Sequence, residues 1–132
     1  MSVFTEPELA YLRGERRLAR LATVDAAGNP HVTPVGWSLD PDATVIEVGG
    51  HSLTSTKKYR DVASTGQAAI VIDDVVPPWQ PRGVEVRGPA EALDGETPRI
   101  RIHPRRIVAW GLEDGGRRQA RTIPHDAEEA AR

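Results

Sequence analysis

Short apolar segments with a two-residue period, rather than long helical patterns, dominate the hydrophobic pattern of this chain. Two segments are exceptions and predict short helices. Residues 5–8, Thr-Glu-Pro-Glu, form a capping box; Leu9 and Leu12 then share an apolar side, and Gly14 marks the end. Residues 54–64 predict the second helix. Helices are therefore expected to be a minor part of the fold.

Strand-like segments make up most of the remaining chain. Turn residues separate them at intervals of about a dozen residues, which favours antiparallel pairing over βαβ units. Residues 74–82 contain three prolines and predict a loop. The predicted fold is mainly β, a small closed or partly closed antiparallel barrel of six to seven strands with two short helices. The strand segments are residues 18–24, 31–39, 44–49, 67–73, 83–93, 99–103 and 107–110.

The chain has 132 residues, which predicts one domain. We assign residues 1–112 to this domain and residues 113–132 to a charged C-terminal tail with little apolar content. Such a tail is expected to be loosely attached or packed against a partner. The domain is small and poor in large aromatic residues, so a dimer that buries further surface is expected to help it.

Composition excludes several classes of protein. The chain has 15 arginines, two lysines and 19 acidic residues, giving a net charge of −2, which argues against a nucleic-acid-binding protein. It has no cysteine, which excludes thiol catalysis and disulfides. The longest aliphatic run, residues 68–72, is far too short to span a membrane, and residues 1–8 lack a signal-peptide pattern. A soluble cytoplasmic protein is expected.

The second strand segment contains both Pro34 and Gly36. Proline removes a donor from the strand ladder, so this strand is expected to lie at an edge or to carry a bulge. An ordinary edge strand would explain the pattern. The alternative is a flat stretch of backbone on which a planar ring lies, recognised by main-chain N–H and C=O groups.

The segment from Ser52 to Arg60 concentrates four hydroxyl groups and three cations, including both lysines, Lys57 and Lys58. It opens the second helix, with Ser52 or Thr54 as the expected N-cap. Helix N-termini favour anions, and lysine is a compact charge suited to phosphate. A solvated basic helix face is the simpler interpretation, but the preceding strand ending in two glycines favours phosphate binding. The spacing of a Walker A loop is absent.

Other candidate residues carry weaker signals. The four histidines have no ligand spacing, so no metal site is predicted, and no spacing identifies a catalytic triad or carboxylate pair. Trp79, in the proline-rich segment, is either a lid over a flat ligand or a hydrophobic anchor. These residues alone therefore identify no catalytic side chain.

Five segments carry a resemblance to known proteins: R-L-A-R-L-A-T-V-D-A-A-G-N-P-H-V-T-P-V-G-W, S-T-K-K-Y-R-D-V, A-A-I-V-I-D-D, R-G-V-E-V-R-G-P-A-E-A-L and R-I-H-P-R-R-I-V-A-W-G-L. In their order and spacing they resemble the pyridoxamine 5′-phosphate oxidase-like split β-barrel family, with its FMN-binding fold. The chain is most similar to the short branch of deazaflavin (coenzyme F420)-dependent reductases. The resemblance covers roughly residues 5–112.

This resemblance implies a homodimer with two cofactor sites at the subunit interface. It places Lys58 and Arg60 at the cofactor phosphate, with Ser52, Thr56 and Lys57 beside them. It places the tricyclic ring on Thr33, Pro34, Val35 and Gly36, where the residues alone had already indicated a broken strand. Trp79 falls in a loop that approaches the cofactor in relatives, often from the partner subunit.

The implied activity is F420-dependent hydride transfer to or from a small organic substrate. An FMN-binding oxidoreductase of the same fold is the first alternative, because FMN also has a phosphate and a planar ring. A non-catalytic flavin or deazaflavin carrier is the second. The extra basic residues that vitamin B6 oxidation needs for a substrate phosphate cannot be placed in this sequence, which argues against that reaction.

Overall fold

Two α-helices interrupt a chain that is otherwise mostly strand. The computed structural model describes residues 2–112 and 116–124. Helix α1 spans Glu6–Arg13. The Glu8 amide donates to Thr5 Oγ1, and the Glu8 carboxylate accepts from the Thr5 amide, so the predicted capping box is confirmed. Within the described ranges, no helix has both the length and the apolar content needed to cross a membrane.

Helix α2 spans Lys57–Thr65 and follows a short 3₁₀ turn, Leu53–Ser55. Its N-cap is Thr56, whose Oγ1 accepts a hydrogen bond from the Tyr59 amide. The prediction that Ser52 or Thr54 caps this helix was wrong. The 3₁₀ turn intervenes and separates both hydroxyls from the first turn of α2.

Nine strands form in the described residues, and all the pairings are antiparallel. They are β1 (Ala19–Val24), β2 (Pro30–Val35), β3 (Ser38–Leu39), β4 (Ile46–Val48), β5 (Gln67–Val76), β6 (Gln80–Leu93), β7 (Arg99–Ile102), β8 (Arg106–Trp110) and β9 (Gln119–Thr122).

The long strand β6 belongs to two groups of strands. Residues 83–87 pair with β8 in the first sheet, ordered β2-β1-β5-β6-β8-β9, and residues 90–93 pair with β7 in the second, ordered β6-β7-β4-β3. Gly88 lies at the change of partner, where a Cβ atom would collide with the backbone carbonyl of His103. Glycine is therefore needed where the strand passes between the two sheets.

The fold class is confirmed as a mainly antiparallel β fold with two α-helices, in a sheet arrangement compatible with a split β-barrel. The strand count exceeds the predicted six to seven for two reasons. The segment 31–39 divides into β2 and β3 around Gly36 and Trp37, and β9 forms inside the predicted tail.

The core lies between the inner faces of the two sheets and the two helices. Strands β1, β5 and β6 contribute alternate residues that are almost fully buried, as the two-residue period requires, whereas β8 buries three consecutive residues. Leu12 of α1 and Val62 of α2 belong to the same core. Its largest fully buried side chains are those of Leu21, Ile46, Ile70, Ile72, Ile100, Ile102 and Ile107.

The predicted loop over residues 74–82 was wrong. Strands β5 and β6 extend through most of this segment and leave only residues 77–79 as the turn of a hairpin. A bidentate ion pair holds the extension together, because the Arg82 guanidinium donates to both carboxylate oxygens of Asp74, at 2.8 and 2.9 Å. This cross-strand pair offsets the disruptive effect of the prolines.

Part of the predicted tail is anchored rather than loosely attached. Residues 119–122 form β9 and pair with β8. The Arg121 guanidinium donates to both carboxylate oxygens of Glu8, at 2.7 and 2.8 Å, and to the carbonyl of Val3. The Glu8 side chain is only 3% exposed, so β9 supplies the counter-ion of a buried carboxylate. Residues 113–115 and 125–132 of the predicted tail lie outside the described residues.

Candidate functional site

The start of α2 presents unpaired backbone donors. The Thr56 Oγ1 accepts a hydrogen bond from the Tyr59 amide, and the Thr56 carbonyl accepts one from the Arg60 amide. The amides of Lys57 and Lys58 occupy the first two positions of the helix. Such amides have no partner within their own helix. Two backbone N–H groups, the positive end of the helix dipole and the lysine side chains therefore lie together at the start of α2.

The two adjacent lysines have different surroundings. The Lys57 ammonium lies 3.1 Å from Oδ1 of Asp61 and 3.6 Å from Oδ2 of Asp25. Within residues 2–112 and 116–124, Lys58 has no hydrogen-bond or ion-pair partner. Lys57 is thus held by two carboxylates, whereas the Lys58 ammonium is available to an anionic ligand.

Asp61 explains why Lys57 is held. Its side chain is 4% exposed, and its second oxygen accepts from the Thr23 hydroxyl at 2.7 Å. Burial raises the pKa of Asp61, but the hydrogen bonds from Thr23 and Lys57 and the charge of Lys57 outweigh burial and lower this pKa overall. The carboxylate is ionised at neutral pH and keeps Lys57 beside it. Sequence reasoning missed Asp61, although its spacing of four residues from Lys57 was a visible signal.

Arg60 and Ser52 occupy the edges of this site. One nitrogen of the Arg60 guanidinium donates to the Ser55 carbonyl at 2.8 Å, which leaves its other donors for a ligand. Ser52 has a left-handed backbone, with φ of 51°, and its carbonyl accepts from both the amide and the hydroxyl of Ser55. The predicted phosphate residues therefore lie on one continuous 3₁₀-turn-to-helix segment.

Three of the predicted ring-binding residues, Thr33, Pro34 and Val35, lie on β2, which forms the edge of its sheet, and Gly36 directly follows the strand. The strand pairs with β1 alone, and Pro34 lies opposite Arg20. Thr33 is partly exposed, Val35 points into the core, and a Cβ atom on Gly36 would have no neighbour within 4 Å. The edge position expected for a proline-containing strand is confirmed. The open space over Gly36 allows a flat ligand to approach the backbone.

The fold brings the phosphate and ring residues to the same edge of the molecule. Lys57 contacts Asp25 in the β1–β2 turn, and the last residue pair of these strands joins Val24 to Pro30. Pro34 lies four residues further along β2, roughly 13 Å away at the rise of a β-strand. A cation-rich helix start and an open stretch of backbone thus stand at the two ends of one edge strand.

Trp37 is anchored directly after the ring-binding residues. Its indole Nε1 donates to the carbonyl of Arg17 at 2.7 Å. The Arg17 guanidinium lies 3.8 Å from the Tyr11 ring centroid, and its Nε is 3.4 Å from Oδ2 of Asp74. Asp74 accepts hydrogen bonds from Arg82 and Tyr11, and these bonds hold its pKa far below the usual range. Sequence reasoning did not single out Trp37, because its partner is 20 residues away.

Trp79 lies far from the helix start within one chain. It is 75% exposed at the tip of the β5–β6 hairpin. Thr23 contacts Asp61 of α2 and pairs with Ala68 at the start of β5. The hairpin tip follows Val76, at the other end of that strand. Val76 is eight positions along the strand from Ala68, a distance of roughly 26 Å at the rise of a β-strand. The structure therefore does not bring Trp79 to Lys58 of the same chain.

A groove of about 600 Å³ lies elsewhere, on the outer face of the first sheet. Ala22, Ala69, Arg87 and Arg106, which are neighbours across the register, contribute to its lining. The predicted cofactor residues are not among the described residues that line it. Two of its three arginines already have partners, because Arg87 pairs with Glu85 and Arg106 donates to the Thr122 hydroxyl.

The chemistry available at the candidate site is binding and orientation. Lys58, Arg60 and two backbone amides can hold an anion, and the β2 edge can support a planar group. Within the described ranges, no group of three His, Asp or Glu side chains is arranged to hold a metal ion.

The split β-barrel arrangement is shared with known proteins of one family. Residues 5–129 match the family model described as pyridoxamine 5′-phosphate oxidase, and the chain belongs to this family. It is 42% identical over 121 residues to a 5a,11a-dehydrotetracycline/5a,11a-dehydrooxytetracycline reductase of Streptomyces rimosus subsp. rimosus, covering 83% of this chain and 84% of the relative. This relative supports an oxidoreductase.

Two solved structures show the same fold at low sequence identity. A heme-binding protein from Mycobacterium smegmatis superposes with a TM-score of 0.66 at 19% identity; the match covers 92% of this chain but 60% of that protein. An F420 reductase superposes with a TM-score of 0.57 at 20% identity, covering 74% of this chain and 94% of that protein.

Proposed function

We propose that this protein is a coenzyme F420-dependent reductase that transfers a hydride to an electron-poor double bond of a small organic substrate. The observation that carries the proposal is the unpartnered Lys58 at the start of α2, at one end of the edge strand whose other end is open over Gly36. The 42% identical reductase supports this class of reaction.

The residues present fit such a cofactor. Lys58 and Arg60 would bind its phosphate, assisted by the amides of the first helical turn and by the nearby hydroxyls of Ser52 and Thr56. The backbone of residues 33–36 would support its planar ring, since Gly36 leaves the required space. When bound, the reduced deazaflavin supplies the hydride, which is chemistry that no side chain of this protein can supply.

The protein's own contribution is then positioning. Lys57 would support the phosphate site indirectly, because its ion pairs with Asp61 and Asp25 fix the start of α2 against the β1–β2 turn. Trp37 fixes the chain beyond Gly36 through its bond to Arg17. Holding two reactants in a fixed geometry is itself a large part of catalysis.

We further propose that the active form is a homodimer. Large apolar side chains on the outer face of the first sheet are exposed: Leu18 by 61%, Val32 by 65% and Val75 by 42%. A second copy packed on this face would cover them. It would also allow the partner's hairpin to bring its tryptophan to the cofactor of the first chain, which Trp79 of the same chain is too distant to reach.

A parallel titration of the purified apo-protein with F420 and FMN tests the cofactor. Tight binding of F420 and weak binding of FMN, followed by F420H₂ oxidation with 5a,11a-dehydrotetracycline, is the expected result. Preferential FMN binding, visible as a yellow protein with flavin absorbance, would replace the proposal by an FMN-dependent oxidoreductase. Binding of F420 without single-turnover oxidation by any acceptor would identify a carrier.

A further inference from the structure

A second groove, of about 440 Å³, adjoins the proposed ring-binding strand. One wall is the end of α1 and the residues after it, from Leu12 to Arg16, and the other is the segment from Trp37 to Pro41. Trp37 directly follows Gly36, where the backbone is open. A ligand in this groove would therefore lie beside a ring placed over residues 33–36.

Both walls of this groove are held in place. Trp37 is fixed by its bond to Arg17, and Arg17 in turn donates to the Tyr11 carbonyl at the end of α1. On the opposite side, Asp40 closes its own turn, accepting from the amides of Thr44 and Val45 at 2.6 and 2.8 Å. The groove thus exists before any ligand binds, which lowers the entropic loss on binding.

The lining combines an apolar wall with a cationic rim. Leu12, Trp37 and Leu39 provide aliphatic and aromatic surface. On the rim, Arg13 and Arg16 have no side-chain hydrogen bond or ion pair with any residue in the described ranges.

Two acidic residues also line the groove. The Asp40 carboxylate is bound within its turn, which leaves Glu15 as one carboxylate against the two arginines of the rim. The rim therefore favours an anionic group beside a flat apolar body.

We propose that this groove is the substrate subsite, and that it takes a flat, fused-ring substrate with acidic hydroxyl groups. This inference rests on the proposed function, because the groove is next to the ring-binding strand. Trp37 provides the surface on which the ring system lies. Arg13 and Arg16 bind its ionised oxygen atoms and set its orientation towards Gly36.

Three variants test the subsite without touching the phosphate residues. Ser38→Phe places a larger side chain into the groove from an exposed strand position, where aromatic residues are well tolerated. Arg13→Glu/Arg16→Glu reverses the charge of the rim. Arg117→Glu/Arg118→Glu is the matched control, with the same charge change on two exposed arginines. Circular dichroism and thermal melting verify folding in each variant.

With 5a,11a-dehydrotetracycline as substrate, we expect the first two variants to raise KM at least tenfold. The Kd for F420 should stay within about twofold of wild type, and the control should match wild type in both quantities. An unchanged KM in both groove variants would place the subsite elsewhere and overturn this inference, while wild-type turnover would leave the proposed function intact.

A second readout does not depend on turnover. In a Trp79→Phe/Trp110→Phe background, the fluorescence of Trp37 alone is followed during titration with tetracycline, which has the fused rings but is the reduced form. Saturable quenching that is abolished by Ser38→Phe would support the groove as the substrate subsite. This result would hold even if the wild type failed to bind F420 and the proposed function were wrong. Absence of saturable quenching would overturn the subsite whatever the cofactor.

Discussion

The Lys57 ammonium lies 3.1 Å from the carboxylate of Asp61, and that carboxylate is buried at 4% exposure. The neighbouring Lys58 has no such partner within the described residues. The two lysines of a chain that otherwise uses arginine are therefore not equivalent. Lys57 neutralises a buried charge and fixes a helix, whereas the Lys58 ammonium can bind a ligand.

Lys58→Ala should weaken cofactor binding by about 1.5–3 kcal/mol, the contribution of a hydrogen bond to a charged group. This corresponds to an increase in Kd of about 10- to 150-fold. Thermal stability should change little, because Lys58 has no partner in the described structure to lose. Fluorescence titration with F420 measures the effect, and Arg118→Ala serves as a control for loss of one positive charge. An unchanged Kd would disprove the phosphate assignment.

Lys57→Ala should act mainly on stability. Removing the ammonium leaves Asp61 buried with Thr23 as its remaining hydrogen-bond donor. Breaking a buried pair is strongly destabilising, but Lys57 is 41% exposed, so we expect a loss of about 1–3 kcal/mol in the free energy of unfolding. Urea denaturation checks this value, and Asp61→Asn in the same background should recover part of the loss. A variant as stable as wild type would contradict the role given to Lys57.

Acid should destabilise the protein through carboxylates whose pKa values are lowered on folding, among them Glu8, Asp61 and Asp74. Burial opposes the shift in Asp61 and Glu8, but their hydrogen bonds and cationic partners outweigh it; in Asp74 the bond to Arg82 dominates. Each contribution is complete above the unfolded pKa, 4.5 for Glu8 and 3.8 for the two aspartates, and is lost as pH falls through the lower folded value.

The free energy of unfolding, measured by urea titration at several pH values, should therefore decline below about pH 4.5. Asp74→Asn lacks one of these titrating groups, so its decline should be shallower. At the lowest pH values its free energy of unfolding should approach that of the wild type. Parallel curves for the two proteins would show that Asp74 does not contribute in this way.

Arg121→Ala should destabilise the protein by about 3 kcal/mol, since it leaves the Glu8 carboxylate buried without its counter-ion. The variant should also lose the bond between β9 and the Val3 carbonyl. Differential scanning calorimetry gives the change in stability. Adding Glu8→Gln, which removes the buried charge, should restore part of it. Failure of this second substitution to help would indicate that the pairing of β9, rather than the ion pair, stabilises this region.

Mixing two inactive dimers tests whether a site uses residues of both chains. Lys58→Ala and Trp79→Ala homodimers should each have impaired cofactor binding. After subunit exchange, a heterodimer would carry one site with both residues intact and one with neither. Recovery of high-affinity F420 binding in about half of the sites of that heterodimer is expected. Without recovery in heterodimers verified by native mass spectrometry, Trp79 would not act across the interface.

Local signals predicted the helices and most strands, because each depends on neighbouring residues. The Thr5–Glu8 box determined the start of α1, and the alternation of Val84 and Val86 identified β6. The same local signals did not predict the N-cap in the hydroxyl-rich segment before α2. It contains several possible caps, and only the formation of the 3₁₀ turn selects Thr56.

Long-range contacts account for the errors. The proline-rich extension of the β5–β6 hairpin depends on the Asp74–Arg82 pair, which joins the two ends of the one segment predicted as loop. Strand β9 is exposed along most of its length and has no apolar alternation strong enough to indicate it. At the candidate site, the lysine segment and the broken strand were visible in sequence. The Asp25 contact that brings them to the same edge was not.

The sharing of β6 between the two sheets determines how this molecule loses its structure. Residues 83–87 belong to one sheet and residues 90–93 to the other, so neither sheet is complete without the shared strand. Separate melting of the two halves would break a continuous backbone ladder on both sides of Gly88. The two sheets therefore form one cooperative unit in unfolding, and protection of their amides against hydrogen exchange is governed by the global free energy.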